Sequence, residues 1–243
     1  MKSDVPYLTK SAIERDAALL LAEFARDHRP IPTPPVPIDE IIELHLKLSF
    51  EIRDLRALFG FGDVHGAIWF RDKLIAVDQQ LDPDKYPIKR GRYHFTLAHE
   101  TGHWRLHRHL YLGRADQPNL FSDEDAKPNY VCRSSDAKVP VEFQADQFAA
   151  YLLMPRDLVA QAWQDWRGNL EPIVLDDMKA NRDQILAAEM GRRGGFRADD
   201  DEMILEHCSR PLAEKCQVSA KAMRIRLEDL GLLLRKRESS LFA

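Results

Sequence analysis

Phe95-Thr-Leu-Ala-His-Glu-Thr-Gly-His103, continued by Trp104-Arg-Leu-His107, is the stretch on which the fold turns. It holds His99-Glu-Thr-Gly-His103, an H-E-x-x-H pattern, inside a segment from His94 to His107 whose apolar residues recur at helical spacing. Residues four apart on an α-helix lie one turn along the axis and about 40° around it, so both imidazoles can face one ion while Glu100 addresses a water there. Phe95, Leu97, Ala98, Trp104 and Leu106 make this a helix that expects burial, where unsatisfied imidazoles would cost free energy. Gly102 costs a mid-helix position about 1 kcal/mol relative to alanine. Its presence predicts another backbone packed against it. The bland alternative is a pair of core histidines bonded to carbonyls, so the metal reading needs a third ligand.

Two residues compete for that place. His109 stands at the metzincin interval, but the glycine that lets a metzincin chain turn back to the metal is replaced here by Leu106. Glu142 lies in Val141-Glu-Phe-Gln-Ala-Asp146, with Asp146 one turn later on the same face of a second apolar helix, Val141 to Leu153. Buried carboxylates need a cation or strong donors. The economical assignment is His99, His103 and Glu142 as metal ligands with an open fourth position, the two-His, one-Glu set of a catalytic zinc site. Glu100 is then the catalytic base. Asp146 accepts a ring N–H from a ligand histidine and fixes its tautomer.

Outward from this centre, Ser11 to Asp27 reads as an amphipathic helix with Ser11 as its cap. Pro30 to Pro37 is proline-rich and extended. Asp39 to Leu46 is a short second helix. Strands are expected over Leu48–Ile52, His65–Phe70 and Leu74–Val77, the last two joined as a hairpin, with one of them offering substrate a free edge. Gly113 to Lys138 reads as a long polar loop. Arg156 to Trp166 is helical, Gly191 to Gly195 is a break, and Met203 to Leu234 is helical again, with segments meeting near Val218-Ser219. The fold class is therefore α+β: a mainly helical core with a small β-sheet and a helix-turn-helix-like C-terminal segment. The division is a metallopeptidase domain over 1–165 and a helical region over 166–243, packed on the core.

The chain has 243 residues, 44% hydrophobic and 30% charged, an ordinary globular composition that excludes collagen-like and disordered classes. A net charge of −4 supplies no global attraction to nucleic acid or anionic lipid. Three cysteines without a C-x-x-C pair suit a reducing compartment, and the apolar stretch Ala17 to Ala25 carries Glu23 and lacks a basic leader. A cytoplasmic location is expected.

The sequence resembles the ImmA/IrrE family of metallopeptidases, which implies that the helical α+β core is a gluzincin-like metallopeptidase core. The likeness is carried by Phe95 to His103 with Leu106-His107, by Glu142-Phe-Gln-Ala-Asp-Gln-Phe-Ala-Ala-Tyr-Leu-Leu-Met-Pro155, by Pro37-Ile-Asp-Glu-Ile41, and by Val218 to Leu227 with Leu230 to Leu233. It implies His99, His103 and Glu142 as ligands, Glu100 as base, and a structural part for His107. It also implies a metal-dependent endopeptidase using metal-activated water, with Zn2+ as the ion and Mn2+ as the in vivo alternative. Its bacterial members cleave helix-turn-helix repressors that control stress genes or mobile elements, so the expected partner is such a repressor on a separate chain. The insertion between Trp104 and Val141 departs from shorter members.

Other signals are weaker. Cys132 is either a fourth, inhibitory ligand or an ordinary reduced cysteine. Lys221 to Arg237 holds six basic and two acidic residues, but Ile225, Leu227, Leu230 and Leu232 to Leu234 read as packing residues with the basic side chains as their solvated face. Direct DNA contact is the weaker reading there. Tyr130, Tyr151 and His94 are candidates for stabilising an oxyanion. The rival function is a non-catalytic, metal-stapled regulator that binds a repressor or DNA through the C-terminal helices.

Overall fold

The computed structural model describes residues 5–60, 62–112, 128, 130–133, 139–192, 194 and 199–236. The architecture is mainly helical α+β with a small mixed sheet. It separates into two compact units, Met1–Pro155 and Arg156–Ala243, so the helix that follows Pro155 belongs to the second unit rather than to the first. No helix among the described residues is long and apolar enough to cross a membrane.

The first unit begins with α1 (Lys10–Asp27), which buries Ile13, Ala17, Leu20 and Phe24 as one stripe. Its cap is Thr9, whose hydroxyl accepts from the Ala12 amide, and not Ser11; the helix starts one residue before that serine. A short helix α2 (Ile38–Glu40) runs on into a π-helical turn, Ile41–His45. Strands β1 (Ser49–Arg53), β2 (Val64–Trp69), β3 (Leu74–Asp78) and β4 (Tyr130–Arg133) form one sheet in the order β1-β3-β2-β4. The β2–β3 hairpin and the β2–β4 pair are antiparallel, and β1 runs parallel to β3. A short helix α3 (Leu55–Phe59) covers the face formed by Val64, Ala67, Trp69 and Ala76.

Two sequence expectations fail here for one reason. The polar stretch Gly113 to Lys138 was expected to be loop throughout, yet residues 130–133 form β4; the rest of it, apart from residue 128, lies outside the described residues. Because β4 covers β2 and β1 covers β3, neither strand between His65 and Val77 is a free edge. Strand pairing is decided by distant backbone, so a four-residue strand leaves almost no local signature.

Helix α4 (Arg90–Leu112) lies against β2 and β3 on one side and α5 (Pro140–Leu153) on the other. From Thr96 to Trp104 every residue is buried, as befits a helix enclosed all round. Gly102 is what allows the close approach: a Cβ there would sit 3.1 Å from Ala145 Cα and 3.2 Å from the Ala145 carbonyl oxygen. The neighbouring backbone anticipated at this glycine is therefore α5. On the outer side Arg105 pairs with Asp16 and Glu23 of α1, each at 2.9 Å.

The second unit contains α6 (Arg156–Arg167), a 3-10 turn over Leu175–Asn181, α7 (Arg182–Arg192), α8 (Asp200–Cys216) and α9 (Ala220–Asp229). The strand β5 (Ile173–Val174) pairs in parallel with β6 (Leu233–Leu234), so the C-terminal helical segment ends before those leucines rather than including them. Helices α8 and α9 meet at Gln217, in the left-handed region at φ 53°, and Ser219 caps α9 through the Ala222 amide. The expected pattern on α9 holds at Leu227 and fails at its neighbours. Ile225 is exposed, whereas Arg224 and Arg226 are buried, Arg224 pairing with Glu228 at 2.9 Å and Glu202 at 3.1 Å. Met223 and Leu227 carry the inward row, and the arginines flank it with carboxylates already in place.

Candidate metal centre

Gly66 and the helix pair α4/α5 define the centre from three sides. His99, Glu100 and His103 come from α4, Glu142 and Asp146 from α5, and all but Asp146 are buried. His99 Nε2 lies 3.0 Å from His103 Nε2 and 3.1 Å from Glu142 Oε2, and His103 Nε2 lies 3.5 Å from Glu142 Oε1. His109, the competing ligand, is exposed on the last turns of α4 and stands outside this group.

Hydrogen bonds assign the ring tautomers. Asp146 Oδ1 lies 2.9 Å from His99 Nδ1, so it accepts that N–H and leaves Nε2 with its lone pair inward. His103 is held by a longer chain, in which sequence reasoning missed Gln144 and Pro6. The Pro6 carbonyl accepts from Gln144 Nε2 at 2.9 Å, which fixes the amide so that Gln144 Oε1 accepts from His107 Nε2 at 3.0 Å. His107 Nδ1 is then left to accept from His103 Nδ1 at 3.0 Å, and His103 Nε2 points its lone pair at the centre. His107 thus orients a candidate ligand histidine. The only local signal was its place one turn beyond His103.

Two imidazole lone pairs and a carboxylate that face one another at these distances repel unless a cation sits among them. Tetrahedral ligands about 2.0–2.1 Å from a zinc-sized ion would stand roughly 3.3 Å apart. The observed separations of 3.0, 3.1 and 3.5 Å bracket that edge. His99, His103 and Glu142 therefore fit a divalent ion as a ligand set, their donor atoms all lying within 4.8 Å of one another.

Charge behaviour follows the same demand for a cation. Burial pulls His99 down, but the Cys132 thiol and the Asp146 and Glu142 carboxylates outweigh it and hold the ring well above its ordinary value. In the absence of a metal, that proton is the smallest cation available. Burial holds His103 down at about 3, so its ring is neutral and free to donate electrons. For Glu142 burial pushes upward, but hydrogen bonds with His103 and His99 prevail and keep the carboxyl at about 2.

Glu100 behaves differently. Both of its carboxylate oxygens are buried with no hydrogen-bond partner, and burial raises it from 4.5 to about 8. Strand β2 passes directly over it: a Cβ on Gly66 would fall 2.6 Å from Glu100 Oε1. A larger residue at 66 would displace the carboxylate, a role for Gly66 that the sequence did not betray. Tyr130 of β4 stacks its ring on His103 at 4.2 Å between centroids, and its hydroxyl accepts from Tyr111 at 2.6 Å. Tyr151 donates to Gln147 at 3.1 Å. The hydroxyls of these two oxyanion candidates thus have protein partners.

With the geometry in view, comparison with known proteins becomes informative. The peptidase M78 family model, described as the IrrE N-terminal-like domain, matches residues 88–228. The chain belongs to that peptidase family. No curated protein matches the sequence. The matched span takes in α4, β4, α5 and most of the second unit, while β1 to β3 lie ahead of it. A peptidase family and a buried His/Glu group able to hold a metal together support a metallopeptidase-type function.

Proposed function

We propose that the protein is a zinc-dependent endopeptidase that cuts a helix-turn-helix repressor at a defined site. The observation that carries the catalytic part is Glu100: a fully buried carboxylate without a single donor, next to three inward-facing metal-binding atoms. A purely structural metal site closes with four protein ligands and has no use for such a group. When bound, a divalent ion polarises a peptide carbonyl and lowers the pKa of water toward neutrality.

The chain's own residues supply the rest. Asp146 keeps His99 in the tautomer that offers Nε2, and the Pro6-Gln144-His107 chain does the same for His103. Glu100 is placed to take a proton from the attacking water and deliver it to the departing amine, because its carboxylate stands beside the metal-binding atoms with no protein donor of its own. Zn2+ is the ion that best suits a two-His, one-Glu set, with Mn2+ as the alternative.

The repressor substrate rests on family membership and on the need for selectivity. Three free thiols favour a reducing cytoplasm, where an unrestricted peptidase would be harmful. A repressor linker is an extended segment, and one cut there separates DNA binding from dimerisation. Direct DNA contact by this chain forms no part of the reading, since Arg224 is already committed to Glu228 and Glu202. The test is incubation of metal-loaded protein with a repressor encoded beside it and with casein, followed by mass spectrometry. Single-site cleavage of the repressor, absent in Glu100→Gln, is expected. Efficient casein digestion with an intact repressor would overturn the substrate assignment.

A further inference from the structure

Strand β4 brings a fourth potential ligand to the centre. Cys132 stands opposite Gly66 in the β2–β4 pair, and residues opposite each other in antiparallel strands share a face. The Gly66 face looks at Glu100, as the 2.6 Å approach of its would-be Cβ shows, so the Cys132 thiol looks there too. Its sulfur lies within 4.8 Å of a ring nitrogen of His99 and of a carboxylate oxygen of Glu100, a second group that shares His99 with the His99, His103 and Glu142 set. The register shift between Val64 and Gly66 is a bulge at His65, which sets this facing: Val64 and Ala67 both join the opposite, α3-covered face despite their odd spacing. Tyr130, two residues before Cys132 and on the same side, stacks on His103. The second, independent sign of an incomplete site is Glu100, buried with both oxygens unpartnered.

Strand β4 is what holds Cys132 there: Tyr130, Val131 and Cys132 stand opposite Ile68, Ala67 and Gly66 in the antiparallel pair.

We propose that Cys132 is a releasable fourth ligand of the ion held by His99, His103 and Glu142, so that this arrangement is the latent form of the peptidase. On binding, the S–H bond breaks, its proton leaves to solvent, and a sulfur–metal bond forms in the position that water would otherwise take. Opening requires only the reverse: the sulfur–metal bond breaks, the thiolate regains a proton, and water takes the vacated position. This inference rests on the metal-centre reading above, and the experiment separates the two.

The full-length protein is loaded with Co2+, whose thiolate complexes show a near-ultraviolet charge-transfer band. The band is expected in the wild type and in Cys208→Ser, a buried cysteine of the second unit, and is expected to vanish in Cys132→Ser while Co2+ stays bound. Bound Co2+ without the band in the wild type, or a band that survives Cys132→Ser, overturns the proposal and leaves the three-ligand centre standing. Failure of the wild type to bind Co2+, or equal occupancy in Glu142→Ala, overturns the metal centre and the proposal with it. Alkylation of the wild type provides a check that needs no variant. Cys132 is expected to resist iodoacetamide with the metal bound and to react once the metal is chelated; equal labelling in both states counts against it.

Discussion

Glu100 in α4 and Glu189 in α7 are both fully buried, yet the chain treats them in opposite ways. Glu189 is met by the Arg210 guanidinium and by His207 Nδ1 at 3.1 Å. Burial pushes its carboxyl up, but Arg210 and then His207 outweigh burial and hold it below the ordinary glutamate range. Glu100 has no donor, and burial lifts it to about 8. A carboxylate that serves the fold is neutralised where it stands. One left unsatisfied in a close-packed helix is retained against its cost in stability, and such exceptions mark chemistry.

The largest effect expected from this contrast is on metal binding. Glu142→Ala should lose the ion, because it removes one of three ligands, whereas Glu100→Gln should keep it. Metal content of the purified variants by mass spectrometry decides the matter. Full occupancy in Glu142→Ala combined with loss in His109→Ala would reinstate the metzincin-like alternative.

The next effect concerns pH in the metal-free protein. A carboxyl whose folded value is raised binds more protons folded than unfolded, so its contribution to stability is intact below 4.5 and is lost as pH rises through about 8. Glu100→Gln abolishes that loss. Under chelation the variant should match the wild type at acid pH and exceed it in alkali by on the order of a few kcal/mol, read from denaturant unfolding. Parallel pH profiles would mean that Glu100 ionises without penalty.

Removing Glu189's partner should do the reverse and destabilise at neutral pH. Arg210→Ala leaves the buried carboxylate with only His207 and the longer 3.9 Å contact to Arg192, at a cost of about 2 kcal/mol in chemical denaturation. A change indistinguishable from zero would show that water reaches Glu189 and dissolve the contrast. Smallest is Asp146→Asn. It weakens the hold on His99 Nδ1 and should lower metal affinity roughly 10- to 100-fold, measurable by competition with a chromophoric chelator. Unchanged affinity would reduce Asp146 to a rim residue.

The two halves of the centre were unequally visible from the linear order of residues. His99, Glu100 and His103 share one helix, and helical geometry alone aims them together. Glu142 and Asp146 declare themselves by standing one turn apart on an otherwise apolar face. Cys132 and Tyr130 sit in a polar stretch with no periodicity, and only pairing with β2 gives them a direction. The same holds for the edge expected between His65 and Val77, which vanished because β4 and β1 flank the hairpin. On α9, burial of Arg224 was hidden because arginine is ordinarily exposed, and its carboxylate partner Glu202 belongs to another helix.

What the sequence determined by itself is therefore the local chemistry: the helices, the H-E-x-x-H register, the carboxylate pair and the close-approach glycine at 102. Each is set by periodicity or by the backbone preferences of neighbouring residues. Tertiary structure alone decided the tautomer of His103, routed from Pro6 through Gln144 and His107, and the isolation of Glu100 beneath Gly66. It also decided the placing of Cys132 beside His99 and Glu100. These depend on hydrogen bonds and strand register between residues far apart in the chain, and such partners are chosen by packing, which no local pattern encodes.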